Sequence, residues 1–303
     1  MGKNNRIKDQ KTAILLALLA VTFWSTIGSA FKITLRYVSF IELVLYSSFI
    51  AVILLFLILK ARNKTYPPAR TTGKDVLKSA LYGFLNPYLY YMVLIKAYDI
   101  LFAQEAVVLN YTWPLALVLL SIPLLKQKIG IKSISALLIS FFGIVIIATK
   151  GDFSGIRLSN ELGVILALSS SFIWATFWIL NMKDKRDEIP KLLLNFLFGF
   201  IYILITALLT NSIRILPAEG YVGVFYIGVF EMGLTFVLWL RALKLSSTTA
   251  KIGNLIYLSP FLSLVFVSIA VGEKIMDTTW TGLIFIVAGI LLQQINVRKR
   301  NTP

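Results

Sequence analysis

The chain has no cysteine and no histidine. The first absence excludes disulfides, thiol nucleophiles and thiolate metal sites. The second excludes histidine triads, imidazole metal ligands and an imidazole proton relay. Charge is scarce as well: 15% of the 303 residues are Asp, Glu, Lys or Arg, against about 25% in soluble domains. Acidic residues are the rarest, 14 against 30 basic, for a net charge of +16. No Gly-x4-Gly-Lys-Ser/Thr run is present, so the chain carries no Walker A ATPase of its own. No catalytic residue, metal site or cofactor is assigned.

Hydrocarbon is what abounds. Hydrophobic residues make up 58% and mean hydropathy is +0.81, which excludes disorder and an ordinary soluble enzyme. The apolar residues fall into runs of about 20, the length that crosses a bilayer core of roughly 30 Å. The sequence predicts an all-α polytopic membrane protein with ten spans at 12–34, 40–60, 76–96, 101–125, 131–149, 159–181, 191–212, 219–241, 247–270 and 278–297. Short connections leave no room for a soluble domain. The first run follows Lys3, Arg6, Lys8 and Lys11. It exceeds the roughly 7–15 residues of a signal-peptide core and is read as a retained span.

The basic residues orient the chain. With the N-terminus placed in the cytoplasm, 23 of the 30 fall on the inside and 7 on the outside. That asymmetry fits the positive-inside rule. Both termini are cytoplasmic only if the number of spans is even, as ten is. The same distribution argues against nucleic-acid binding, because the basic residues are spread over inner loops rather than along one face.

A shift of about 146 residues lays the second half on the first. Tyr111 meets Tyr257, Pro114 meets Pro260, Lys128 meets Lys274 and Gly143 meets Gly289. At 145, Gly83 meets Gly228, Asn86 meets Glu231 and Ala97 meets Ala242. At 150, Trp24 meets Trp174 and Thr26 meets Thr176. Five spans per half is an odd number, so the halves are inverted relative to one another. Inverted repeats are a recurring plan of secondary transporters, with the site near the midplane between the halves. The expected organisation is a cytoplasmic tail (1–11), a first repeat (12–149), an extracytoplasmic linker (150–158), a second repeat (159–297) and a tail (298–303).

Several short motifs carry a family resemblance. Asn110-Tyr111-Thr112-Trp113-Pro114, the run to Leu125-Lys126-Gln127-Lys128 and the Gly143 span resemble the EamA repeat. So do Leu258-Ser259-Pro260, Gly272-Glu273-Lys274 and the Gly289 span. Two such halves are similar to the drug/metabolite transporter superfamily, and Asn-Tyr-x-Trp-Pro looks most like its aromatic amino-acid exporter branch. That resemblance implies efflux of an amino acid or related metabolite. The EamA pattern often has Gly-Glu after the fourth span; this chain keeps it only in the second half, as Gly272-Glu273.

Among residues that could carry transport, Glu231 comes first. A carboxylate midway through the eighth span costs at least ~2.5 kcal/mol, so it faces the bundle interior or a wet cavity. It is a candidate substrate contact and proton-coupling group; the competing role is an interhelical hydrogen bond. Asn86-Pro87 sits near the middle of the third span, where proline frees a carbonyl and kinks the helix. Pro114 and Pro260 predict matching kinks in the fourth and ninth spans. Trp24 and Trp174 lie too deep for the interfacial belt, and Trp178 is one turn from Trp174. Deep tryptophans stack on aromatic or cationic ligands or simply fill space. Tyr111, Tyr257 and Asn110 supply the few polar groups that orient a ligand in an apolar pocket. Of the crowded tyrosines 82, 88, 90 and 91, Tyr82 is the best inward candidate, one turn from Asn86. Trp239 and Trp280 are assigned to the interfacial belt. Glu105 and Lys251 either gate a mouth or snorkel to the headgroups. Gly199, Gly223, Gly228 and Gly233 are expected to allow close helix packing.

The function that follows is a secondary transporter in the cytoplasmic membrane. It moves a small organic solute, by export, through alternating access. One chain suffices for a complete pathway, and a homodimer is compatible with it. Its partners are the small-molecule substrate and the lipid bilayer. The alternatives are a membrane scaffold or sensor without transport, and an intramembrane enzyme. The second lacks the nucleophile–base or carboxylate pair such enzymes need.

Overall fold

The structure is a computed structural model that describes residues 9–63, 72–125, 131–152, 160–246 and 254–300. All regular structure among these residues is helical. The elements are α1 (Gln10–Thr34), α2 (Phe40–Asn63), α3 (Gly73–Gly83), a π-helical turn (Phe84–Leu89), α4 (Tyr90–Ile100), α5 (Ala103–Asn110), α6 (Trp113–Leu125), α7 (Ile131–Ala148), α8 (Glu161–Lys183), α9 (Glu188–Leu209), α10 (Ala218–Phe230) and α11 (Leu234–Leu245). A 3-10 turn (Asn254–Leu258), α12 (Ser259–Phe266), a second π turn (Val267–Val271) and α13 (Asp277–Arg300) complete the chain. Polar caps start several of them. Asp9 accepts from the Thr12 N–H (3.1 Å), Thr72 and Asp75 form a capping box, and Asn160 accepts from the Gly163 N–H (2.9 Å). Each satisfies donors that the first helical turn leaves orphaned.

Among the described residues six stretches are long and apolar enough to cross a membrane: Gln10–Thr34, Phe40–Ala61, Ala103–Leu124, Glu161–Asn181, Glu188–Leu209 and Ala218–Ala242. Leu138–Ile147, Ser259–Val271 and Asp277–Leu292 are shorter apolar helices. The expected third and ninth spans are therefore interrupted rather than continuous. The third is broken at Asn86-Pro87, and the ninth passes from 3-10 through α to π geometry.

Two-fold packing relates the halves. α1 packs on α10, α11 and α12, and α8 packs on α3–α4 and α5–α6. The mates α7 and α13 pack tightly and run antiparallel. The Ser140 hydroxyl donates to the Ile286 carbonyl (3.2 Å), Gly143 abuts Gly282 and Gly289 abuts Ala136. Gly143 and Gly289 thus serve contacts within the chain. The mates α2 and α9 are also antiparallel: Phe49 meets Phe200 while Tyr46 reaches the Arg214 carbonyl beyond the end of α9. Antiparallel packing of mates is the arrangement expected of inverted repeats. Gly83 lies on the Asn195 carbonyl of α9, and its mate Gly228 lies on the Ser47 carbonyl of α2. At both places a Cβ would collide with backbone, so glycine sets the close approach.

Candidate functional site

Both halves break the same segment at the same repeat position. In the first half Asn86 is extended (φ −149°, ψ 119°) and joined to Pro87 by a cis peptide bond. In the second, α10 ends at Phe230 and α11 starts at Leu234, with Glu231, Met232 and Gly233 between them. Proline cannot donate to the helix ladder. Gly233, at φ −113° and ψ −82°, has left helical geometry and packs against Leu54. Each break presents a polar side chain, Asn86 or Glu231, to the interior.

Glu231 is buried and accepts a hydrogen bond at Oε1 from the Tyr91 hydroxyl (3.0 Å); Oε2 is buried with no hydrogen-bond partner. Asn86 is fully buried with neither amide atom paired, and so is Asn195 on α9. A buried polar group left unpaired costs about 1–3 kcal/mol. Such groups in an interior call for an explanation, and a ligand that pairs them is one.

Tyr91 leads from the carboxylate into an aromatic wall built from both halves. Tyr91 contacts Tyr90, which stacks on Trp174 at 4.6 Å and 30°. Trp174 meets Phe236 edge-on (5.7 Å), and so does its repeat mate Trp24 (6.2 Å). Trp178 abuts Trp174 at 5.9 Å. Each such pair contributes about 0.5–1.5 kcal/mol beyond its burial, and ring faces also attract cations. Polar bridges sit beside the wall. Asn110 Nδ2 donates to the Ser170 hydroxyl (2.8 Å), and the Tyr90 hydroxyl approaches Asn110 Oδ1 at 3.5 Å. The Tyr111 and Ser259 hydroxyls are bonded, and Ser259 continues to Ser25 at 3.0 Å. The Thr26 and Tyr226 hydroxyls pair at 2.6 Å.

Ring and hydrogen-bond contacts connect Trp24, Trp174, Trp178, Asn110 and Glu231 through Phe236, Tyr90 and Tyr91; Tyr111 is joined through Ser259 to α1, and Asn86 is buried at its own break. Tyr82 is buried elsewhere, within electrostatic reach of Asp184 and Arg186. The hydroxyl that reaches Glu231 belongs to Tyr91, because the break at Asn86 resets the helical phase. The side chains of Tyr257 and Pro114 lie outside the described residues, as does Lys251 entirely. Pro87 follows a break, Pro114 falls in the first turn of α6, and Pro260 falls in the first turn of α12. Two belt and surface expectations are corrected. Trp239 is buried against Trp24 (5.4 Å), because α1 covers α11. Glu105 does not snorkel; its carboxylate is buried, with Lys150 Nζ 3.5 Å away. Sequence reasoning passed over Tyr91, Phe236, Ser259 and Asn195. Only Asn195, a strongly polar residue inside an apolar run, carried a signal that could have found it.

The two faces of the bundle are moored differently. On the face where α1 ends, the Glu273 carboxylate accepts from the Ala103 and Gln104 N–H groups (2.9 and 3.2 Å), capping α5 of the other half. The Gln104 side chain donates to the Lys274 carbonyl and accepts from the Met276 N–H and the Thr279 hydroxyl. Lys32 donates to the Tyr98 and Leu101 carbonyls, and Arg36 to the Val271 carbonyl. On the opposite face Arg186 holds Asp184 (2.6 Å) and reaches the Asp75 carbonyl and Ser79 hydroxyl (2.8 and 2.9 Å). Burial raises the Asp184 carboxyl, but hydrogen bonds from Arg186 outweigh it and hold the group below its ordinary value. Among the described residues no cluster of acidic side chains could hold a metal ion.

With this geometry in place, residues 11–149 and 161–293 each match the profile of the EamA-like transporter family. An uncharacterized transporter of Clostridium kluyveri is 27% identical over 77% of this chain and 76% of its own length. The aromatic amino acid exporter YddG of Salmonella typhimurium is 24% identical over 65% of this chain and 69% of its own. A solved crystal structure of a protein at 19% identity superposes with a TM-score of 0.66, covering 97% of this chain and all of that one.

Proposed function

Because the chain belongs to the EamA-like transporter family, and is a multi-pass membrane protein that carries small solutes, we propose that its cargo is an amino acid or related metabolite, exported across the cytoplasmic membrane. The observation that carries this reading is Glu231. It is a buried carboxylate at a helix break, with one oxygen on Tyr91 and the other buried and unpaired, beside a wall of tryptophan and tyrosine rings. A carboxylate receives an ammonium group, and the aromatic faces receive an apolar or aromatic side chain. The likeness to YddG, named for aromatic amino acids, points the same way.

Transport proceeds by alternating access in this reading. Ten spans form two inverted halves with both termini in the cytoplasm, and the matched breaks at Asn86 and Glu231 let segments bend against a fixed site. The halves of residues 12–149 and 159–297 are the moving units. Glu231 is the candidate group for coupling to protons. The sequence lacks a catalytic constellation, so chemistry on the cargo is not part of the proposal.

The test is flux in proteoliposomes with a panel of amino acids, quaternary cations and nucleotides under an imposed pH gradient. Flux of aromatic amino acids is expected; no flux for any class overturns the proposal. Everted vesicles from producing cells resolve direction, with uptake into them expected for an exporter.

A further inference from the structure

The segments that begin at α5 in the first half and end at the second π turn in the second are fastened to each other at two levels. Near their middles the Tyr111 and Ser259 hydroxyls are bonded, and Ser259 continues to Ser25 of α1 at 3.0 Å. At the face where α1 ends, the Glu273 carboxylate takes the Ala103 N–H at Oε1 (2.9 Å) and the Gln104 N–H at Oε2 (3.2 Å). α5 has no capping side chain of its own at Phe102. The Glu105 and Ala106 N–H groups find the Phe102 carbonyl, so the orphan donors of Ala103 and Gln104 are left to Glu273. Gly272, in the left-handed region at φ +79°, turns the chain so that Glu273 can reach them. α1 closes the remaining side. Lys32 donates to the Tyr98 and Leu101 carbonyls and Arg36 to the Val271 carbonyl. Ser29 lies between the two levels, buried one turn from Ser25 and one turn from Lys32 on the same face of α1.

The offset of 146 that pairs Lys128 with Lys274 also pairs Gln127 with Glu273. The first half thus carries a neutral amide where the second carries a carboxylate. We propose that Glu273 is the latch of a gate. Its two-pronged hold on α5 keeps the two halves together at this face and closes the interior to the side on which α1 ends, the outer side in the orientation proposed above. This rests on the alternating-access reading and adds to it a gate and the group that holds it. Gly272 and Lys274 are exposed beside the latch, so water takes over both partners when they part, and the contact is reversible. Hydrogen bonds to an ionised acceptor are about twice as strong as neutral ones. The carboxylate therefore weights the carrier toward the state closed on this side.

The chain has no cysteine, so Ser29→Cys alone reports whether the mouth is open. The Ser29 hydroxyl has no hydrogen-bond partner, and the exchange breaks no bond. In intact cells a membrane-impermeant maleimide should label Ser29→Cys slowly. Adding Glu273→Gln, which installs the residue of the opposite half, should speed labelling roughly tenfold, as the loss of a bond to a charged group predicts. Ser48→Cys, buried on α2 where that helix packs on α9 and α10, should stay unlabelled with or without Glu273→Gln. Gln104→Ala keeps Glu273 but removes the return bonds to its loop; it should speed labelling about threefold and serves if Glu273→Gln fails to fold. Unchanged labelling of Ser29→Cys in the folded variants, or equal acceleration at Ser29→Cys and Ser48→Cys, overturns the latch. If those variants still carry phenylalanine in proteoliposomes, the transporter reading stands without it. Absence of flux for every solute of the panel in the parent overturns that reading and the gate with it.

Discussion

The third segments of the two halves make an instructive pair. Both are broken at the same repeat position, both place a glycine on a carbonyl of the opposite half, and both are moored at their start by an arginine. Arg186 of the second half holds the start of α3 through Asp75 and Ser79. Arg214 of the second half pairs with Glu42 of the first just before α10 begins (2.7 Å). The chemistry at the break differs. The first half offers a neutral amide with no partner, the second a carboxylate with one partner. Backbone architecture has stayed common to the halves while the side chains at the centre have diverged. Matched breaks with unlike polar groups suit the proposed carrier of an asymmetric solute.

The largest expected effect tests the shared architecture. Gly83→Val and Gly228→Val each drive a side chain into a backbone carbonyl, and each should destabilise by about 3 kcal/mol or more. Thermal unfolding in detergent should show similar losses for the two; a large loss at one site only would break the equivalence of the hinges. Glu231→Gln tests the divergence. It should lower transport roughly ten- to hundredfold, the weight of hydrogen bonds to a charged group. Retained rate and pH dependence would remove Glu231 from coupling. Tyr91→Phe removes the hydroxyl bonded to Glu231 Oε1; it should weaken substrate binding by about two- to tenfold and lower the melting temperature, because that buried oxygen loses its donor.

The smallest effect lies at the mooring. Hydrogen bonds from Arg186 hold the Asp184 carboxyl below its ordinary value of 3.8 in spite of burial. The stabilisation is therefore complete above 3.8 and fades as pH falls through the lowered value. Asp184→Asn should cost about 1 kcal/mol near neutrality, and the melting curves of variant and parent should converge in acid. A constant gap at every pH would show that the carboxyl charge contributes nothing.

Much of this was legible in the sequence because it depends on local rules. Run length marked the six long apolar stretches, and an offset of 145 matched Asn86 with Glu231. What failed, failed for tertiary reasons. Tyr82 was favoured over Tyr91 by counting a continuous helix through Asn86, and an extended residue there voids the count. Trp239 looked like a belt residue from its distance to the end of its span, which says nothing of α1 lying over it.

By itself, the sequence determined the solvent this chain folds in and the repeat that organises it. Apolar runs must leave water, and backbone groups in lipid must pair within helices. The tertiary structure alone decided which polar atoms meet. Pairing across the halves joins residues more than a hundred positions apart, as Tyr91 and Glu231 are. Hydropathy is blind to such pairing, because it records how costly a group is to bury and not which neighbour offsets the cost.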